Sequence, residues 1–174
     1  MSDEDLFDPN DSQYDTDGGQ YKNLVTPGEY LLGVRACVVH GRTENDKLFS
    51  RFAFVVIDGP RKGESFVDRV FRSPSSYKRL AVVCRAMRIT ERFNPSLDRE
   101  IERVMLGRTL KSRVDVADGK WAEIKFPDVD GWSEDELATM KEWESEFKRE
   151  RKKIADQQAL DGFPEDDFED DIPF

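Results

Sequence analysis

With 174 residues, 37% of them charged and 11% aromatic, including twelve Phe, the chain suits one domain with a packed core and charged appendages. No apolar run approaches membrane-spanning length, so a transmembrane protein is excluded as an expectation. The formal charge of −10 argues against a nucleic-acid partner only as an average. Residues 1–24 carry seven acids against one Lys, and residues 161–174 carry seven acids and no base. Between them, residues 25–113 hold eighteen Lys/Arg and ten Asp/Glu, a net of +8. A basic body lies between two acidic ends, and that asymmetry is the informative quantity.

Residues 1–24 are rich in Asp, Asn, Ser and Gly and read as a disordered acidic segment. Asp11, Asp15, Asp17 and Gly18 suggest a calcium loop, but Gln13 and Leu24 stand where ligands would be needed. From Gly28 the pattern turns to alternation. Residues 29–40 read as a strand with Tyr30, Leu32, Val34, Ala36 and Val38 on one face. Residues 47–58 form a second, with Leu48, Phe52, Phe54 and Val56 alternating. Asp58-Gly59-Pro60 is turn chemistry, in a loop carrying Arg61 and Lys62, and residues 64–72 make a third strand.

Ser73-Pro74 then opens a helix, with the hydroxyl as cap and Pro at the first helical position. A shorter helical piece starts at Asn94-Pro95-Ser96. Residues 107–116 and 120–126 form a final hairpin across Asp118-Gly119. Three strands, a helix and two strands is the element order of an OB-fold, a five-stranded Greek-key barrel, spanning residues 25–130 in a β-rich chain. Gly131-Trp132-Ser133 leads into a long helix over residues 131–160, where Ser133 and Glu136 match a capping box. Its sparse apolar stripe is expected to pack on the barrel or on a partner copy in a homo-oligomer.

If the apolar face of each strand fills the barrel, the opposite parity points outward. That parity carries Arg35, Phe49, Arg51, Arg69, Phe71, Lys111, Arg113, Trp121 and Lys125. Rings stack on unpaired bases and cations meet phosphates, with no base-edge code required. Arg61 and Lys62 extend the same candidate surface from their loop. Val39, Val55, Ile57 and Val67 share the outward parity, so part of that face must be covered.

Residues 161–174 end on Asp170-Asp171-Ile172-Pro173-Phe174: an acidic run, then two large hydrophobes around a proline. Like charges keep such a segment solvated, while Phe174 and its carboxylate suit an apolar pocket with a basic rim. This ending resembles the tail of bacterial single-stranded-DNA-binding proteins, whose tip recruits replication, repair and recombination enzymes. The middle region, about residues 26–129, is similar to small phage single-stranded-DNA-binding domains. Pro27-Gly28-Glu29-Tyr30, Ile57-Asp58-Gly59-Pro60-Arg61-Lys62-Gly63 and Leu106-Gly107-Arg108 carry that similarity. The resemblance implies a non-enzymatic protein that coats single-stranded DNA and calls in partner enzymes.

Two other readings compete. An acidic decoy would present the same tip without binding DNA, but has no need of the +8 body. A Mg²⁺-dependent nuclease would use Asp115 with Glu123-Ile124-Lys125. The loop at residues 59–63 lacks the Gly-Lys-Ser/Thr ending of a phosphate loop, and the lone His40 allows at most one His-containing set. No cofactor is expected. His40 is expected on a strand surface, with no zinc ligand set around it. Cys37 and Cys84, in a chain with no basic-then-apolar N-terminal segment, read as reduced thiols of a cytoplasmic protein.

Overall fold

The computed structural model describes residues 22–24, 26–117 and 121–161. Residues 1–21 of the acidic segment 1–24, the Asp118-Gly119 turn and the terminal Asp170-Asp171-Ile172-Pro173-Phe174 lie outside the described residues, whereas Lys22 and Asn23 form a short strand and Leu24 is buried in the core.

Five antiparallel strands build one sheet: β2 (Gly28–Arg42), β3 (Leu48–Val56), β4 (Glu64–Phe71), β5 (Thr109–Ala117) and β6 (Trp121–Pro127). A two-residue strand, β1 (Lys22–Asn23), runs parallel to β4, and the order is β1-β4-β3-β2-β5-β6. The long β2 is the hinge of this arrangement. Its first half pairs with β5, from Gly28↔Val114 to Gly33↔Thr109, while the rest pairs with β3 as far as Arg42↔Leu48. Register shifts between Val34 and Ala36 and between Cys37 and Val39 bend the strand where it changes partner.

Those bulges correct the expected parity. Leu32 and Val34 do point inward and are fully buried, but Ala36 is exposed and Val38 is 55% exposed. Cys37 and His40 turn inward in their place. His40 is therefore not a surface residue of a regular strand: its side chain is 20% exposed and hydrogen-bonds Ser50 and Glu102.

The inner face packs Leu32, Val34, Phe52, Phe54, Phe66, Val70, Leu110, Val114 and Ile124 against helices α1 (Tyr77–Ala86) and α2 (Asp98–Met105). Phe54 and Phe66 stack at 5.4 Å between centroids inside this core. Pro74–Ser76 form a 3₁₀ turn before α1, and the Ser73 hydroxyl does not cap it; that oxygen accepts from Leu48 N at 2.8 Å. Strands β4 and β6 approach each other under α1. Among the described residues no backbone ladder joins them. Asp68 Oδ2 accepts from Ile124 N at 2.9 Å instead, so the sheet curls without closing.

Helix α3 (Glu134–Leu160) starts on the expected capping box: Ser133 Oγ accepts from Glu136 N at 3.2 Å, and Glu136 Oε2 accepts from Ser133 N at 2.9 Å. It packs on the outer face of the sheet over a second core of Leu31, Val55, Ile57 and Met140, flanked by Trp132, Leu137 and Trp143. Gly33 makes this approach possible, since a Cβ there would sit 2.5 Å from Trp143 Cη2. Residues 148–160 continue beyond the sheet and are exposed throughout. No helix among the described residues is long and apolar enough to cross a membrane.

Candidate functional site

The part of the outer face that α3 leaves uncovered lies on β3 and β4. Phe49 stands directly opposite Phe71, and Arg51 directly opposite Arg69, because β3 and β4 pair in regular register with neither bulge nor shift. The two rings meet edge to face at 6.3 Å. Phe49 lies on Gly41 of β2, where a Cβ would fall 2.8 Å from its Cζ. Only glycine gives that ring a seat.

The guanidiniums stack on the same rings. Arg51 lies 5.7 Å from the Phe49 centroid, and Arg69 lies 5.8 Å from Phe49 and 5.6 Å from Phe71. Arginine keeps its charge while lying flat on a ring, which lysine cannot do in the same way. Neither guanidinium is ion-paired among the described residues, whereas Arg42, Arg61, Arg72, Arg88 and Arg103 all are. This block is held in place with its charge turned to solvent.

Trp121, at the start of β6, is 69% exposed. It faces the block across a groove of about 370 Å³ lined by Arg51, Val67, Asp68, Arg69, Trp121 and Glu123. Asp68 forms the floor. Burial raises its carboxyl pKa from the usual 3.8, and hydrogen bonds from the Ile124 and Arg69 amides oppose that rise. Arg79 of α1 braces the same seam by donating to the carbonyls of Ile124 (2.6 Å) and Lys125 (3.0 Å). Neither Asp68 nor Arg79 was found from the sequence. An acid at an inward position between Phe66 and Val70 is the signal that could have flagged Asp68.

The remaining expected residues lie elsewhere. Arg35 lines a cleft with Trp143, Glu146 and Glu150 of α3. Lys111 is held by α3, donating to Glu136 Oε2 at 3.2 Å and to Gly131 O at 3.3 Å. Both leave the candidate surface because α3 covers their part of the sheet. Arg61 and Lys62 sit at the tip of the β3–β4 hairpin, with Arg61 paired to Glu64 at 3.1 Å. Six residues separate that end from Phe49, about 20 Å along a strand.

Arg113 and Lys125 do emerge outward on β5 and β6, within a strip of alternating charge. Arg113 meets Asp115 at 3.2 Å, Lys125 meets Glu123 at 2.9 Å, and Asp115 is the register partner of Glu123. The hydrogen bond from Lys125 to Glu123 raises the lysine pKa further above its usual range. The carboxylates imagined for a nuclease are thus each engaged by a neighbouring cation.

No protein-family model matches this chain, and no curated protein matches it either.

Proposed function

We propose that this protein binds single-stranded nucleic acid across the β3–β4 face and the groove leading to Trp121. The observation that carries the reading is the Phe49–Phe71–Arg51–Arg69 block: rings interleaved with cations that, among the described residues, have no ion-pair partner, on a surface that no other described element covers. Exposed rings offer stacking platforms that accept any base, worth ~1–3 kcal/mol each, and the guanidiniums meet the phosphates between them. Binding of this kind selects unpaired strands over duplexes because a duplex hides its base faces. The strand order β4-β3-β2-β5-β6, with the Asp68 bridge drawing β4 towards β6, supports an OB-type barrel as the scaffold.

On this reading the protein coats single-stranded DNA in replication and recombination. The terminal Asp170-Asp171-Ile172-Pro173-Phe174 docks partner enzymes, a role supported by its likeness to the bacterial tails. Titrating the protein with fluorescent oligo-dT at several salt concentrations tests the first half. Saturable binding that weakens with salt, at least tenfold tighter than for duplex, is expected. Equal affinity for duplex, or none for oligo-dT, overturns it; the latter with intact partner binding leaves the decoy reading.

A further inference from the structure

Behind the Phe49 seat, on the inner side of β2, a thiol, an imidazole and a carboxylate converge. Cys37 Sγ lies 3.6 Å from His40 Nε2, and His40 Nε2 lies 2.5 Å from Glu102 Oε1 of α2. The three ligand atoms all fall within 4.8 Å of one another. We propose that Cys37, His40 and Glu102 form a binding site for a divalent transition-metal cation of the Zn²⁺ class.

Residues three apart on a regular strand point to opposite faces, so Cys37 and His40 should diverge. The register shift between Cys37 and Val39 removes that divergence and turns both inward, towards α2. The separation suits a metal. Zn–S near 2.3 Å and Zn–N near 2.0–2.1 Å, at a tetrahedral angle, place sulfur and nitrogen about 3.5–3.6 Å apart. Glu102 needs to withdraw by just under an ångström to reach the corresponding N–O edge of about 3.4 Å. Its side chain is 41% exposed and has the freedom to do so.

The orientation of the imidazole is the second observation. His40 Nδ1 lies 2.8 Å from Ser50 Oγ, and Ser50 is fully buried. With a cation in place, a hydrogen bond from Nδ1–H to that hydroxyl would leave the Nε2 lone pair, on the atom facing Cys37 and Glu102, free for it. Metal-ligating histidines are commonly fixed through their other nitrogen in this way. Asp98 is not a fourth ligand: its Oδ1 lies 3.8 Å from Nδ1 and is taken by Arg72 at 2.7 Å. Three protein ligands leave the fourth position to solvent. A bound cation would tie β2 to α2 directly beneath the strand segment that carries Phe49.

Reduced full-length protein titrated with Co²⁺ supplies the test. One equivalent should bind with a thiolate-to-cobalt charge-transfer absorption, and Zn²⁺ should displace it. The acidic ends can hold Co²⁺ only through oxygen and give no such band. Cys37→Ser should abolish the absorption, Cys84→Ser should leave it intact, and His40→Gln and Glu102→Gln should each weaken binding at least tenfold. Ser50→Ala, which touches no metal, should cost about 10–100-fold in affinity. The Glu102 side chain is 41% exposed, so Glu102→Gln carries the test if Cys37→Ser fails to fold. No thiolate band in the wild type overturns the site, as does a band that survives Cys37→Ser or is indifferent to Glu102→Gln. The cluster is then a hydrogen-bonded His–Glu pair beside a bystander thiol.

Discussion

The outer surface of the sheet has two halves that alternate with the same period and end up in opposite circumstances. Under α3 lie the aliphatic side chains Leu31, Val55 and Ile57, sealed by Met140, with Lys111 tied to Glu136 at the rim. Beyond α3 lie the half-buried rings of Phe49 and Phe71 with the exposed Arg51 and Arg69, stacked on one another. Aliphatic side chains gain only by leaving water, so their half must find a lid of apolar groups. Rings flanked by guanidiniums have a polar face to offer and can stay wet. Val39 and Val67, 44% and 48% exposed, belong to the open half without sharing that property. Parity decides which side chains point out. Chemistry decides which of those are covered.

The largest break in this contrast should come from the covered half. Met140 is fully buried between α3 and the sheet. Met140→Ala should lower unfolding stability by about 2–5 kcal/mol in denaturant titrations, through lost burial and the cavity left behind. At temperatures where the variant stays folded, oligo-dT affinity should change less than twofold. A parallel collapse of both would mean the two halves do not act independently.

The open half should answer in the opposite way. Phe49→Ala should leave stability within about 1 kcal/mol, because the ring is only half-buried. It should weaken oligo-dT binding by the ~1–3 kcal/mol of one lost stacking platform, and Trp121→Ala should behave alike. Replacing Arg51 and Arg69 together by Ala should flatten the slope of log affinity against log salt by about 1.4, two phosphate contacts at ~0.7 each. Arg35→Ala and Lys111→Ala serve as the comparison, with no change in that slope. A slope that responds equally to all four would move the binding surface onto α3.

Much of this arrangement was legible because strands announce themselves by alternation and helices by caps. The five strands, the helix before β5 and the Ser133–Glu136 box all stand where the residues place them. Phe49, Arg51, Arg69 and Phe71 came out on one face because β3 and β4 pair without a shift. The sequence failed where a local irregularity carries no compositional mark. Nothing in Val34-Arg35-Ala36-Cys37-Val38-Val39 signals two bulges, so Ala36 and Val38 were placed inside and His40 outside. Long-range coverage was equally hidden. Arg35 and Lys111 share the outward parity of Arg51, and only the path of α3 across Gly33 separates them from it.

The smallest effect tests the seam on which the open half rests. Asp68 sits below the groove with its pKa raised, mainly by burial. Over the window just above the usual 3.8, the folded protein keeps a proton on Asp68 that the unfolded chain has shed. Stability from this group is therefore present at the acid end and lost as pH rises through the folded value. Asp68→Asn removes the titration, so the fall in stability across that window should flatten, as read from denaturant midpoints at a series of pH values. Asparagine has one acceptor oxygen where the carboxylate uses two, for the Ile124 and Arg69 amides. Where the wild-type carboxylate is ionised the variant should thus lack one of these bonds, and the slope rather than the level is the informative quantity. A slope unchanged from wild type would mean that water reaches the carboxylate, and the β4–β6 seam would then be open rather than bridged.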